Sequence, residues 1–275
     1  MMERLIQTWR ETLLLPGETD PVESGLRELS EYFGIRREAA RHACLTALED
    51  SKREWESAPR RTEKQIVGFY RSTRSYLFEH VWWHATDAKV NAANVAILEY
   101  AVGRGARDYL DFGSGVGTNA ILFAKHGFRV ALADVSETML EFASWRLRQR
   151  GLRAWLIDLN RQELPRGRFD FVTAVDVCEH LARPGAALKQ ISRAMKPGGT
   201  FVFNHRDGVD VERPMHILPT AAPLLRAIRL NGLRPTGNED GALRALEFTV
   251  VRRAARPRME NLCFGIYDFA RYTAH

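Results

Sequence analysis

Tyr109-Leu110-Asp111-Phe112-Gly113-Ser114-Gly115-Val116-Gly117-Thr118 reads as the end of a buried strand, a glycine loop and the start of a helix. Glycines at alternate positions remove each Cβ that would hold a ligand away from the backbone. The helix that follows points its free N–H groups at whatever sits there. Asp111, ending the strand, repels a phosphate and suits an ammonium group. The loop is therefore shaped for a nucleotide-like ligand that also carries an amino acid.

Working outward, strand-like runs at 107–112, 128–134, 154–158, 169–175 and 199–205 alternate with helical stretches at 117–126, 136–149 and 184–195. That alternation predicts βαβ units, hence an α/β fold with a mostly parallel sheet and helices on both faces. A helix at 220–231 and a late strand at 243–252 follow. Upstream, residues 1–102 read as a helical cap or lid, with Asp20 capping a helix that begins at Pro21. A helix at 36–57 is followed, after Ala58-Pro59, by an apolar one carrying Tyr70, Leu77, Phe78, Val81, Trp82 and Ala85 at helical spacing. Residues 103–253 form the expected catalytic domain. Residues 254–275, with Phe264, Tyr267, Phe269 and Tyr272, form an aromatic tail.

In an open α/β sheet, ligands bind beyond the carboxyl ends of the strands. Asp111, Asp134 and Asp158 end the first three, and Asp176 and Glu179 follow the fourth. One such acid means little, since it can cap the next helix. Acids at four successive strand ends after a glycine loop point to a ligand site. A dinucleotide-binding oxidoreductase is the rival: Gly115-x-Gly117-x-x-Ala120 satisfies its glycine rule. That pattern starts two residues late, however, and Asp111 stands where a pyrophosphate would lie.

With these residues in view, 105–252 resembles the class I S-adenosylmethionine (SAM)-dependent methyltransferases, and within them the small-molecule branch with the ubiquinone-type O-methyltransferases. Leu110–Gly117 is similar to the family's first motif, Phe169-Asp170-Phe171-Val172 to its fourth-strand motif, and Met195–Phe201 to the turn before its fifth strand. Glu179-His180 before a leucine is frequent in that branch. The resemblance implies a Rossmann-like seven-stranded sheet with its last strand antiparallel, and SAM as cofactor. It implies cofactor contacts at Asp111, Gly113, Ser114, Gly115, Gly117, Asp134, Val135, Asp158, Leu159 and Asp176. Among these, Asp111 would orient the amino group, often through water, Asp134 accept the ribose hydroxyls, and Asp158 read the adenine amine, with Leu159 against the ring.

Methyl transfer to a hydroxyl needs a base, a metal or an already lowered pKa. The candidate bases are His180, His205 and His216, each with a structural reading as a backbone-bonded or packed side chain. Those histidines with Asp207 and Asp210 imitate a metal site but lack ligand spacing, so no metal is expected. Trp82-Trp83-His84 either line a substrate pocket or belong to the core.

The 275 residues are 45% hydrophobic, enough for one sizeable core and an added cap. No apolar run approaches the ~18 residues of a membrane span, and the charged N-terminus lacks a leader's apolar core. Three cysteines, Cys44, Cys178 and Cys263, follow neither a zinc nor a disulfide pattern. The expectation is a cytoplasmic protein with a small-molecule acceptor and no membrane partner, a homodimer remaining open. The net charge of +6 raises nucleic acid as a partner. The arginines are spread along the chain and often beside acids, which argues against it. An RNA or protein methyltransferase, and a scaffold that has lost catalysis, are the alternative functions.

Overall fold

Seven strands, β1 (Asp108–Phe112), β2 (Arg129–Asp134), β3 (Trp155–Asp158), β4 (Phe169–Ala174), β5 (Met195–Phe203), β6 (Leu233–Pro235) and β7 (Thr249–Arg253), form one sheet in a computed structural model that describes residues 2–208, 210, 212–237 and 240–255. Their order is β3-β2-β1-β4-β5-β7-β6, with β1 to β5 parallel and β7 antiparallel to both its neighbours. This is the Rossmann-like sheet expected from the strand pattern and the resemblance. Chain order reverses between β1 and β4, so the loops after them leave in opposite directions and open a crevice.

The period-two alternation of strand side chains supplies both faces. Leu110, Phe112, Val172, Phe201 and Val251 face a core closed by α10 (Pro184–Ala194) and α11 (Ala222–Leu230). Tyr109, Phe171, Val202 and Val250 face the opposite core, shared with α8 (Thr118–Lys125). Helices α1 (Met2–Leu13) and α7 (Ala93–Gly103) bury Leu5, Trp9, Ile97 and Leu98 in that same core.

The other N-terminal helices are α2 (Pro21–Phe33), α3 (Arg37–Ser57), α4 (Glu63–Ser72), α5 (Ser75–Thr86) and the short α6 (Ala88–Asn91). Asp20 caps α2 as expected, accepting from the N–H groups of Val22 and Glu23. Leu26, Leu29, Leu77, Phe78 and Val81 pack against Phe142 and Met139 of α9 (Glu137–Gln149), and against Val116 of the glycine loop. A buried ion cluster reinforces this contact. Glu28 of α2 accepts from Arg146 of α9 (2.9 Å) and from Arg150, which caps the end of that helix. The Arg146 guanidinium then reaches the Val116 carbonyl at 2.8 Å and the Thr118 hydroxyl at 2.9 Å.

Two local expectations are corrected. The apolar helix after Pro59 is two helices, because the Thr73 and Ser75 hydroxyls both donate to Glu54 of α3 and break it there. The late strand does not begin at 243. Gly241–Arg244 is a helical turn, α12, and Glu247 at φ 65° redirects the chain into β7. The tail proposed at 254–275 lies, from residue 256 onward, outside the described residues.

Candidate active site

The ends of β1, β2, β3 and β4 border one cavity of about 290 Å³, roofed by α4 and α5. Phe112, Gly113, Gly115, Asp134, Val135, Leu159 and Asp176 line it, with Ser136, Met139, Asn160 and Val177 beside them. Ile66, Val67, Tyr70, Tyr76 and His80 come from the roof, and His180 and Leu181 from the segment after β4.

Asp134 has the most telling geometry. Its Oδ2 accepts from the Gly115 N–H at 2.8 Å and its Oδ1 from the Ser136 N–H at 2.8 Å. Each oxygen keeps a lone pair for a ligand hydroxyl. Burial raises its pKa, opposed by those backbone donors. The Ala133 carbonyl takes the N–H groups of Gly113 (2.7 Å) and Ser114 (3.3 Å), and the Ser114 carbonyl takes that of Gly117. The loop is thus turned inward, its donors spent on the end of β2. The N–H groups of Gly113, Ser114, Gly115 and Gly117 are therefore already paired.

The glycines also act differently from one another. All three have positive φ. A Cβ on Gly113 would lie 2.5 Å from Val177, and one on Gly117 2.6 Å from the Ala143 Cβ. Gly115 lines the cavity beside the His80 ring, which a Cβ there would meet at 3.1 Å. Gly117 packs the loop onto α9 and does not line the cavity. Ser114 is likewise buried away from it.

Asp111 is placed below the loop, not in the cavity. It accepts the Thr173 hydroxyl at 3.1 Å, which is itself 2.6 Å from the Tyr109 hydroxyl, and it accepts the Ala120 N–H at the start of α8. Burial pushes it up to about 7. In this position it caps α8 and does not itself line the cavity. Asp158 stands at the cavity's edge with its carboxylate committed to Asn160 (2.9 Å to the backbone N–H) and to Arg161. The neighbouring Leu159 and Asn160 face the cavity in its place. Asp176 does face it, at φ 52°, held there by two 2.7 Å hydrogen bonds with Asn204.

The three histidines separate. His180 lies in the cavity wall with its Nδ1 2.9 Å from the Tyr70 hydroxyl and its Nε2 3.2 Å from the Tyr76 hydroxyl. Burial pushes it down to about 3, so the ring is neutral and a weak base. His216 stacks edge-on against it at 4.9 Å, in a smaller adjoining cavity lined also by Glu79, Glu179, Arg206 and Arg213. His205 is turned away from both cavities, its Nε2 bonded to the Leu218 carbonyl at 2.9 Å. Among the described residues, the ligating atoms that converge, within 4.8 Å of one another, are those of Glu179, His180 and His216. Cys178 is buried with its thiol pushed well up, as a packing residue should be.

Sequence reasoning missed Tyr70, Tyr76 and His80 as site residues, and Asn204 altogether. The tyrosines and His80 sit on apolar helices whose spacing signals core, and only tertiary packing turns them to the cavity. Nothing in the chain marks Asn204.

Residues 110–203 match the family described as a methyltransferase domain. The chain is 29% identical over 133 residues to a ubiquinone biosynthesis O-methyltransferase of Methylococcus capsulatus, covering 46% of this chain and 56% of that protein. It is 27% identical over 128 residues to the protein of that name from Dechloromonas aromatica, covering 44% and 55%. The chain thus spans little more than half the length of these relatives. Among solved structures, the [4+2]-cyclase SpnF shares the fold, with a TM-score of 0.50 and 19% identity over 62% of this chain and 84% of that one. Among the described residues no helix is long and apolar enough to cross a membrane. With the strand-end acid, the inward glycine loop and the sheet order in place, residues 110–203 are similar to the methyltransferase domain family.

Proposed function

We propose that this protein transfers the methyl group of SAM to an oxygen or nitrogen of a small-molecule acceptor. The observation that carries the reading is a single cavity with two unlike ends. One end has a buried carboxylate, Asp134, beside the apolar Val135, Met139 and Leu159, which suits a ribose and a flat base. The other has the Tyr70–His180–Tyr76 wall, which suits an acceptor. The methyl would lie between them, above Gly113 and Gly115.

SAM supplies an electrophilic sulfonium methyl when bound. The chain's part is placement and exclusion of water. Holding the reacting atoms in line is worth up to ~7–11 kcal/mol in favourable systems. The roof helices α4 and α5 close the cavity above, with Arg183 and Glu63 ion-paired across its edge. His180 is too weak a base for an ordinary hydroxyl. Its role here is to fix the two tyrosine hydroxyls, which in turn orient the acceptor atom. The relatives named for O-methylation support oxygen as the target. The apolar lining from Ile66, Val67 and Leu181 supports an apolar or aromatic acceptor body.

The test is calorimetric titration with SAM and, in parallel, NADH, followed by transfer of labelled methyl to a panel of phenolic and amine acceptors. SAM binding with labelled product supports the reading. NADH binding alone, or SAM binding with salt-sensitive labelling of RNA only, defeats it.

A further inference from the structure

The sheet order gives the cavity a direction. A nucleoside seated on the ends of β3 and β2, at Leu159, Asn160 and Asp134, sends its amino-acid end across β1 toward β4. At that end the loop N–H groups of Gly113, Ser114, Gly115 and Gly117 already have partners. Asp176 is bonded to Asn204, and Tyr76 to His180. An α-carboxylate arriving there would find those donors occupied. His80 offers a further donor there. Its ring faces the Cβ direction of Gly115 at 3.1 Å, lines both this cavity and the smaller one beside it, and has no hydrogen-bond partner among the described residues.

The ring is also held in place. It packs on Tyr76 at 4.4 Å between centroids and on His84 at 5.8 Å. One turn further along α5, His84 bonds the Thr118 hydroxyl at 2.9 Å, which Arg146 also grips. Helix α5 is therefore fastened to the glycine loop on which the ligand would lie. A neutral imidazole has one N–H to donate, and a hydrogen bond from it to a carboxylate is of the stronger, charge-assisted kind.

We propose that His80, supplied by the N-terminal helices and not by the sheet, binds the α-carboxylate of the cofactor's amino-acid end. The assignment rests on reading the cavity as a SAM site. It makes the helical cap part of the cofactor site as well as a cover for the acceptor.

The test titrates the full chain with S-adenosylhomocysteine and with 5′-methylthioadenosine, which keeps the nucleoside and sulfur but lacks the amino acid. In His80→Ala, affinity for S-adenosylhomocysteine should fall about tenfold or more, as loss of a hydrogen bond to a charged group requires, with 5′-methylthioadenosine unchanged. His80→Gln, which keeps a donor, should recover most of the loss. Unchanged 5′-methylthioadenosine binding also shows that the variant is folded. Equal weakening of both ligands, or of neither, overturns the assignment to His80. If the unaltered protein binds neither ligand, the SAM reading itself fails and takes this proposal with it.

Discussion

The floor and the roof of the cavity are built on opposite plans. The floor is the row of strand ends: Asp134, Gly113 and Gly115 are held by backbone hydrogen bonds within a parallel sheet, and their neighbours in sequence dictate their geometry. The roof is α4 and α5, whose Tyr70, Tyr76 and His80 meet the site only because the helices dock on α9 and on the segment after β5. SpnF shows that the shared fold extends to a protein named as a cyclase, so the fold alone does not fix the chemistry.

The strongest way to break the comparison is to free α2, the helix packed between the roof's α5 and α9, from its ion cluster. Glu28→Ala leaves the Arg146 and Arg150 guanidiniums without their buried carboxylate. A loss of about 3–5 kcal/mol is expected, read as a fall of roughly 10 °C in Tm. A Tm within a degree or two of the unaltered protein would show that this cluster does not fasten the N-terminal helices to α9.

Attacking the floor alone should leave the fold intact and spare the roof. Asp134→Ala removes both acceptors offered to ribose hydroxyls and should weaken S-adenosylhomocysteine binding about a hundredfold, the sum of two modest charge-assisted bonds. Unchanged affinity in calorimetry would remove Asp134 from the site.

Floor and roof also titrate in opposite senses. Asp111 under the floor is raised to about 7, whereas His80 and His180 in the roof region are lowered to about 4 and 3. The buried acid holds its proton more tightly folded than unfolded. Its contribution is full below the unfolded value near 4 and is lost as pH rises toward 7. The imidazoles do the reverse, adding stability as pH rises from about 3–4 toward their unfolded value near 6.5. Asp111→Asn removes the first effect. Relative to the unaltered protein, its stability to urea should improve as pH rises from about 4 to 7, by up to ~1.4 kcal/mol per pH unit. A constant difference across that range would show that Asp111 titrates normally.

The finest probe separates the roof's two tasks. Tyr76→Phe deletes the hydroxyl 3.2 Å from His180 and should lower kcat about tenfold, the effect of one orienting hydrogen bond, with S-adenosylhomocysteine affinity unchanged. A matching loss of cofactor affinity would instead place Tyr76 with His80 on the cofactor.

The residues that were readable in advance belong to the floor. Leu110 and Phe112 against Tyr109 display the alternation of a strand, and Asp134 stands at the end of the next one. Asp20 before Pro21 carries its cap in its own side chain. Asp111 was readable as a strand-end acid but not as the cap of α8, because the Ala120 N–H it serves is selected by how the helix tilts over the strand. His180, His205 and His216 were indistinguishable as sequence. Burial neutralised the first, the Leu218 carbonyl took the second, and packing set the third beside the first.

By itself, then, the sequence determined the α/β alternation, the order of acids at strand ends and the glycine loop, since each depends on residues within a few positions of one another. Only the tertiary structure decided which glycine faces a ligand, which acid keeps free lone pairs and which helix brings an unpartnered imidazole over the loop. Those outcomes depend on desolvation and on contacts with side chains 30 or more residues away, as Gly113 against Val177 and His80 against Gly115 show, and no local pattern encodes them.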